Sequence, residues 1–433
     1  MVSALLAVGL LVAVFVGYNI GGSSTGVAFG PAVGSRIVGK FTAGVLFTAF
    51  ALAGGWTIGR NVIDTMSSGI VPASQFSAEA SIAVLFFTGL SLLVSNLYGV
   101  PASTSMTAVG AIVGLGLATG TLNEALMFTI VSAWIVAPLL SFFVGAVIGR
   151  YLYPYLDARL AFGRIEDGLF GLDNSGRVPR PRLSDAASLR DVVGATLVLI
   201  IACYMAFSAG ASNAANAVAP LVGSGAIEVD AAILLAIGAI GLGGLTIARR
   251  TLATVGDDIT DLPILAALIV SSIGATVITV LSQLGIPASL AVSTTSCIIG
   301  LGWGRASRVV TLAEAATAPL EKEAEPTPEM SVGALATPAA EAETSEGETV
   351  QPSGPTVGEL ASGEATEKVE QTKQVVEETG AGPEVQPIGK EKPDELSRKD
   401  LFDPAATSRI VLLWVLTPTL SVVASFLVFL LLI

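Results

Sequence analysis

Apolar runs as long as a bilayer is thick recur along this chain, and they leave little choice of fold. About 30 Å of hydrocarbon needs roughly 20 apolar residues at about 1.5 Å each. Runs near that length cover Val2 to Ile20, Phe41 to Ile58, Ala80 to Tyr98, Ser103 to Ala118 and Ala125 to Ile148. A second set covers Val192 to Ser208, Ala231 to Ala248, Leu262 to Leu284, a weaker Ser289 to Gly304, and Val411 to Ile433. In lipid every backbone polar group must be bonded within the protein, so such runs become helices. With 52% hydrophobic and 13% charged residues and a mean hydropathy of +0.75, the expected class is an all-α polytopic membrane protein. Val2 to Ile20 lacks a basic n-region and a small-residue cleavage site, so it is expected to remain as the first span.

Several chemistries drop out at once. The chain has no histidine, and its two cysteines, Cys203 and Cys297, lie in apolar segments without metal-ligand spacing. Neither a zinc site nor histidine acid–base catalysis fits, so no enzyme and no cofactor are expected. Between Arg308 and Asp400 the composition turns to Glu, Pro, Thr, Ala and Gly, a mixture that cannot bury a core. That acidic linker carries most of the net charge of −13, and no nucleic-acid partner is expected of the chain.

Compared with itself, the chain shows three recurring blocks, which is how many transporter folds announce internal symmetry. GGSSTGVAFGPAVGS at Gly21 to Ser35 returns as GASNAANAVAPLVGS at Gly210 to Ser224. GGWTIGRNVIDTMSSGIV at Gly54 to Val71 returns as GGLTIARRTLATVGDDIT at Gly243 to Thr260, pairing Arg60 with Arg249. PASTSMTAVGAIVGLGLATG at Pro101 to Gly120 returns as PASLAVSTTSCIIGLGWGRA at Pro287 to Ala306. The division that follows is a first repeat at 1–150, a connecting loop at 151–190, a second repeat at 191–310, a disordered linker at 311–405 and a last helix at 406–433 that completes the second repeat.

Arginines crowd the 151–190 connection, which places it in the cytoplasm. Five spans per half then give the two repeats opposite orientations, with both termini outside and the acidic linker inside. Arg60 falls outside and breaks the charge rule, unless a half-helix or re-entrant hairpin intervenes.

A dehydrated anion in a membrane needs replacement donors. Interrupted helices offer N-terminal amides, and short Ser, Thr and Asn side chains add more. The first block supplies Ser23, Ser24 and Thr25 in one copy and Ser212, Asn213 and Asn216 in the other. The third supplies Ser103, Thr104 and Ser105. Its partner is ambiguous: strict register gives Ser289, Leu290 and Ala291, and a four-residue shift gives Ser293, Thr294 and Thr295. The alternative is that these small residues only let helices pack. Arg60, Arg249 and Arg250 read as interface anchors or anion-attracting cations. Asp64, Asp257, Asp258 and Asp261 read as solvated or paired, with a coupling-cation role as the lesser alternative.

At these blocks the sequence resembles the PiT family of inorganic phosphate transporters, whose halves each carry a GANDVANA-like signature leading into a GTSVGS-like tail. Gly21 to Ser35 and Gly210 to Ser224 fit it, the second best at ASNAANA; Thr254 to Gly256 and the PASTS near Pro101, which looks like PVSTT, add to it. The resemblance implies secondary phosphate uptake coupled to sodium or protons, with sulfate or another oxyanion as the rival substrate and any sodium held by the same residues. The signature's Asn-Asp pairs fall on Ser23-Ser24 and Ser212-Asn213, and its last Asn on Val27 and Asn216. Both signature aspartates are therefore absent. A phosphate sensor or scaffold that has lost transport is the alternative of a different class, and a homo-oligomer is left open.

Overall fold

The computed structural model describes residues 2–97, 103–160, 170–173, 180–183, 189–246, 264–307 and 404–432. Pro101, Arg249, Arg250, Thr254 to Gly256, Asp257, Asp258, Asp261 and nearly all of the acidic linker lie outside the described residues.

The first half holds α1 (Val2–Gly34), α2 (Lys40–Thr57), a short α3 (Gly59–Asp64), α4 (Ala78–Leu97), α5 (Thr104–Thr119) and α6 (Glu124–Val147). The connection carries α7 (Tyr153–Leu160) and an antiparallel two-stranded ribbon, β1 (Phe170–Asp173) with β2 (Arg180–Leu183), so it is not only a loop. The second half holds α8 (Leu189–Gly223), α9 (Val229–Thr246), α10 (Ile264–Gln283), α11 (Leu290–Ala306) and α12 (Pro404–Leu432). Among the described residues six helices are long and apolar enough to cross a membrane, and α2 with the Gly59–Gly69 segment, bent by 62°, makes a seventh if the pair is one span. Large apolar side chains on α6 and α12, Phe128, Phe143, Val415 and Leu431 among them, remain exposed as a lipid-facing surface requires. The protein is a multi-pass, almost wholly helical membrane protein.

The signature blocks do not interrupt their helices. Gly21 to Ser24 and Gly210 to Asn213 lie within the continuous α1 and α8, each with a proline near its C-terminal end, Pro31 and Pro220. A break in lipid would strand backbone groups, so these Gly/Ser runs stay helical and use their small residues for approach. The interruptions lie instead at the bend after α2 and at the starts of α5 and α11.

Packing repeats residue by residue. A methyl added to Gly21 of α1 would strike the Ile240 carbonyl of α9, and one on Gly243 the carbonyl of Tyr18. At the positions 189 residues away, Gly210 of α8 meets the Ala51 carbonyl of α2, and Gly54 meets that of Phe207. The same crossing is therefore built twice, each time between a helix of one half and a helix of the other.

A fourth repeat, hidden by the long linker, relates α6 to α12. Trp134, Pro138 and Ser141 recur as Trp414, Pro418 and Ser421, 280 residues later. Gly145 of α6 sits over the Cys297 carbonyl of α11; its counterpart Ser425 of α12 donates to the Ala111 carbonyl of α5 at 2.6 Å. Thus α12 packs on α5 as α6 packs on α11.

Candidate functional site

Two helix starts point into the centre. Ser103 caps α5, its hydroxyl accepting from the Met106 amide at 3.4 Å, and Ser289 caps α11 by accepting from Val292 at 3.4 Å. Caps of this kind satisfy one amide and leave the others of the first turn facing outward. Ser103 and Ser289 are related by the strict register, so the fold uses that register and the four-residue shift does not hold. Thr104 and Ser105 consequently correspond to Leu290 and Ala291.

At the start of α5 six predicted residues come together. Thr104 donates to Asn213 Oδ1 at 2.7 Å, and Asn216 Nδ2 donates to Ser105 at 3.1 Å and to Asn213 Oδ1 at 3.1 Å. The oxygens of Ser105 and Ser212 lie 3.3 Å apart, and both hydroxyls reach the Ala288 carbonyl, at 3.0 and 2.7 Å. Asn213 Nδ2 donates to Ser24 at 3.4 Å. All but Ser24 are buried.

The contact between Ser24 and Asn213 is informative. These residues are 189 positions apart, the repeat distance itself, so each is the other's counterpart. The two positions at which the resembled signature has aspartates therefore face each other where α1 meets α8, as a hydroxyl and an amide.

No ionic side chain bonds to this cluster among the described residues; its members are all neutral. One atom is left over. Asn216 Oδ1 is buried with no donor, while its Nδ2 is held by the Asn213 carbonyl oxygen, which fixes the orientation of the amide. A buried unpaired acceptor costs about 1 to 3 kcal/mol, a cost that a proton donor or a cation at this oxygen would remove.

The remaining predicted residues are elsewhere in role. Ser23 donates to Ile20 at 3.1 Å and Thr25 to Gly21 at 2.9 Å, back into their own helix. Thr294 donates to Leu290 at 2.8 Å and packs against Gly274, Thr295 keeps a buried hydroxyl without a partner, and Ser293 is buried; none bonds to the cluster. Arg60 pairs with Asp230 at 2.7 Å and lies over Trp56, 4.8 Å from the ring centre, which is the anchor reading. Asp64 is exposed, and no acidic or cysteine cluster suited to a metal occurs among the described residues.

Sequence reasoning missed three participants. The Ala288 carbonyl is a backbone group and carries no sequence signal. Asn61, donating to Gln283 at 2.8 Å, and Trp134, donating to Pro287 at 2.8 Å, hold the α10–α11 connection from the first half. The recurrence of Trp134 as Trp414 was the available clue.

The family model described as the phosphate transporter family matches residues 20–319. The sulfate permease CysP of Bacillus subtilis is 31% identical over 68% of this chain and 77% of its own length. A putative phosphate permease of Haemophilus influenzae is 25% identical over 67% of this chain and 86% of its own. The solved structure of a sodium-dependent phosphate transporter shares the fold at a TM-score of 0.57 and 19% identity, over 72% of this chain and 93% of that one. That span covers more than half of the chain, and the chain belongs to the phosphate transporter family.

Proposed function

We propose that the chain carries inorganic phosphate across the membrane by alternating access, driven by a cation gradient. The observation that carries this reading is the buried, neutral donor cluster at the meeting line of the two halves. A tetrahedral oxyanion there meets the first-turn amides of α5, the Ser24 hydroxyl and the Asn213 amide, in a frame held by Thr104, Ser105 and Asn216, whose protons go to Asn213, Ala288 and Ser105. Those groups replace water without a fixed charge of either sign. Opposed orientation of the halves, with the 151–190 connection and the acidic linker in the cytoplasm, lets the same cluster open to each side in turn.

The Asn216 oxygen is the natural place for the coupling partner. Sodium is taken by neutral oxygens, and protonated phosphate can supply a proton to the same atom. With no carboxylate of the described residues bonded to the cluster, the anion's own charge is what draws in the cation.

The test is uptake of labelled phosphate into vesicles holding the purified protein, with and without an inward sodium gradient. Ser24→Ala combined with Asn213→Ala is expected to cut uptake at least tenfold; unchanged uptake removes both from the mechanism. Sulfate is the second reading. It is favoured by the 31% identity to a protein named a sulfate permease and by the uncharged side chains at positions 24 and 213. Full competition of unlabelled sulfate against labelled phosphate would establish it.

A further inference from the structure

The connection between α10 and α11 has little backbone bonding of its own. Gly285 and Ile286 close the end of α10 by donating to Ser282 and Leu281, and Pro287 has no amide to give. Carbonyls on either side of this turn must be satisfied from outside. Three donors of the first half do so: Asn61 on Gln283 at 2.8 Å, Trp134 on Pro287 at 2.8 Å and Ser105 on Ala288 at 3.0 Å.

Pro287 adjoins Ala288, whose carbonyl gathers Ser105 and Ser212. Ser289, next again, caps α11. Whatever fixes Pro287 therefore sets both the carbonyl that aims two cluster hydroxyls and the start of a central helix. Trp414, the counterpart of Trp134, has a buried indole nitrogen without an acceptor among the described residues, and Pro101, the counterpart of Pro287, lies outside them. The Trp134 bond itself runs from α6 to the connection before α11 and so ties the first half to that connection.

We infer that Trp134 is a positioning residue of the transport site, its indole holding Pro287 so that the Ala288 carbonyl keeps Ser105 and Ser212, and through Ser105 the Asn216 amide, in place around the site. The inference rests on the transport reading above. Trp134→Phe keeps the ring and removes the donor. It is expected to raise the phosphate KM about fivefold, the size of one lost buried hydrogen bond, with maximal rate changed less than twofold. Because both groups act through Ala288, Trp134→Phe combined with Ser105→Ala should raise KM no further than Ser105→Ala alone. In a variant whose other tryptophans, Trp56, Trp303 and Trp414, are phenylalanine, added phosphate should shift the emission of Trp134. An unchanged KM in Trp134→Phe, or full multiplication of the two effects, overturns the inference. A wild type that carries neither phosphate nor sulfate removes the transport reading instead; the emission shift then decides the inference, and its absence overturns it.

Discussion

Asn213 sits at the centre of the cluster, accepting from Thr104 and Asn216 and donating to Ser24. Its replacement by alanine strips two donors of their acceptor, at a cost of about 1 to 3 kcal/mol, and is expected to raise the phosphate KM roughly tenfold or more. Asn213→Asp keeps the shape but adds a negative charge to a dry site, so at neutral pH it should bind phosphate more weakly than Asn213→Ala does. Filter binding of labelled phosphate to the three proteins gives the order. Which residues meet here was only partly legible in the sequence. Recurrence picked out Ser24, Asn213 and Asn216. It could not decide between the two registers of the third block, because a capping serine and a helical serine look alike until the helix start is known. Ser293, Thr294 and Thr295 were candidates only through the register that the caps at Ser103 and Ser289 exclude.

At the scale of helices, the two crossings of α1 with α9 and of α2 with α8 depend on glycine at Gly21, Gly54, Gly210 and Gly243. A side chain at Gly54 or Gly210 forces backbone off backbone, so Gly210→Val is expected to abolish a monodisperse elution peak or lower the melting temperature by more than 10 °C, on the order of several kcal/mol in a closely packed helix pair. Gly238→Ala, with open space at its Cβ, is the matched control and should leave melting unchanged within about 2 °C. These crossings were legible because the same geometric demand, met twice, leaves the same glycines at the same spacing. The continuity of α1 and α8 through the signature was not legible. Glycine and serine read as breakers in water, but in lipid there is no solvent to take up the freed backbone groups. The match of α6 with α12 was concealed for a different reason, an insertion of about a hundred residues between α11 and α12 that shifts the repeat distance to 280.

For the whole molecule, the long acidic segment is the largest element that the transport reading does not use. If it is a tether, deleting Glu321 to Glu395 leaves phosphate uptake within about twofold of wild type, since shortening a long connection changes closure entropy little. Loss of signalling with uptake intact, or loss of uptake itself, would instead favour the sensor reading. The central claim is that a neutral pocket between two opposed halves is presented to each side of the membrane in turn. Ser24→Cys in a background with Cys203 and Cys297 replaced by alanine places one thiol in that pocket, and its labelling by a membrane-impermeant reagent, added to one face and then the other, is the direct measurement. The account predicts modification from both faces, slowed several-fold by phosphate in each case. Modification from one face only, or a rate indifferent to phosphate, would contradict it.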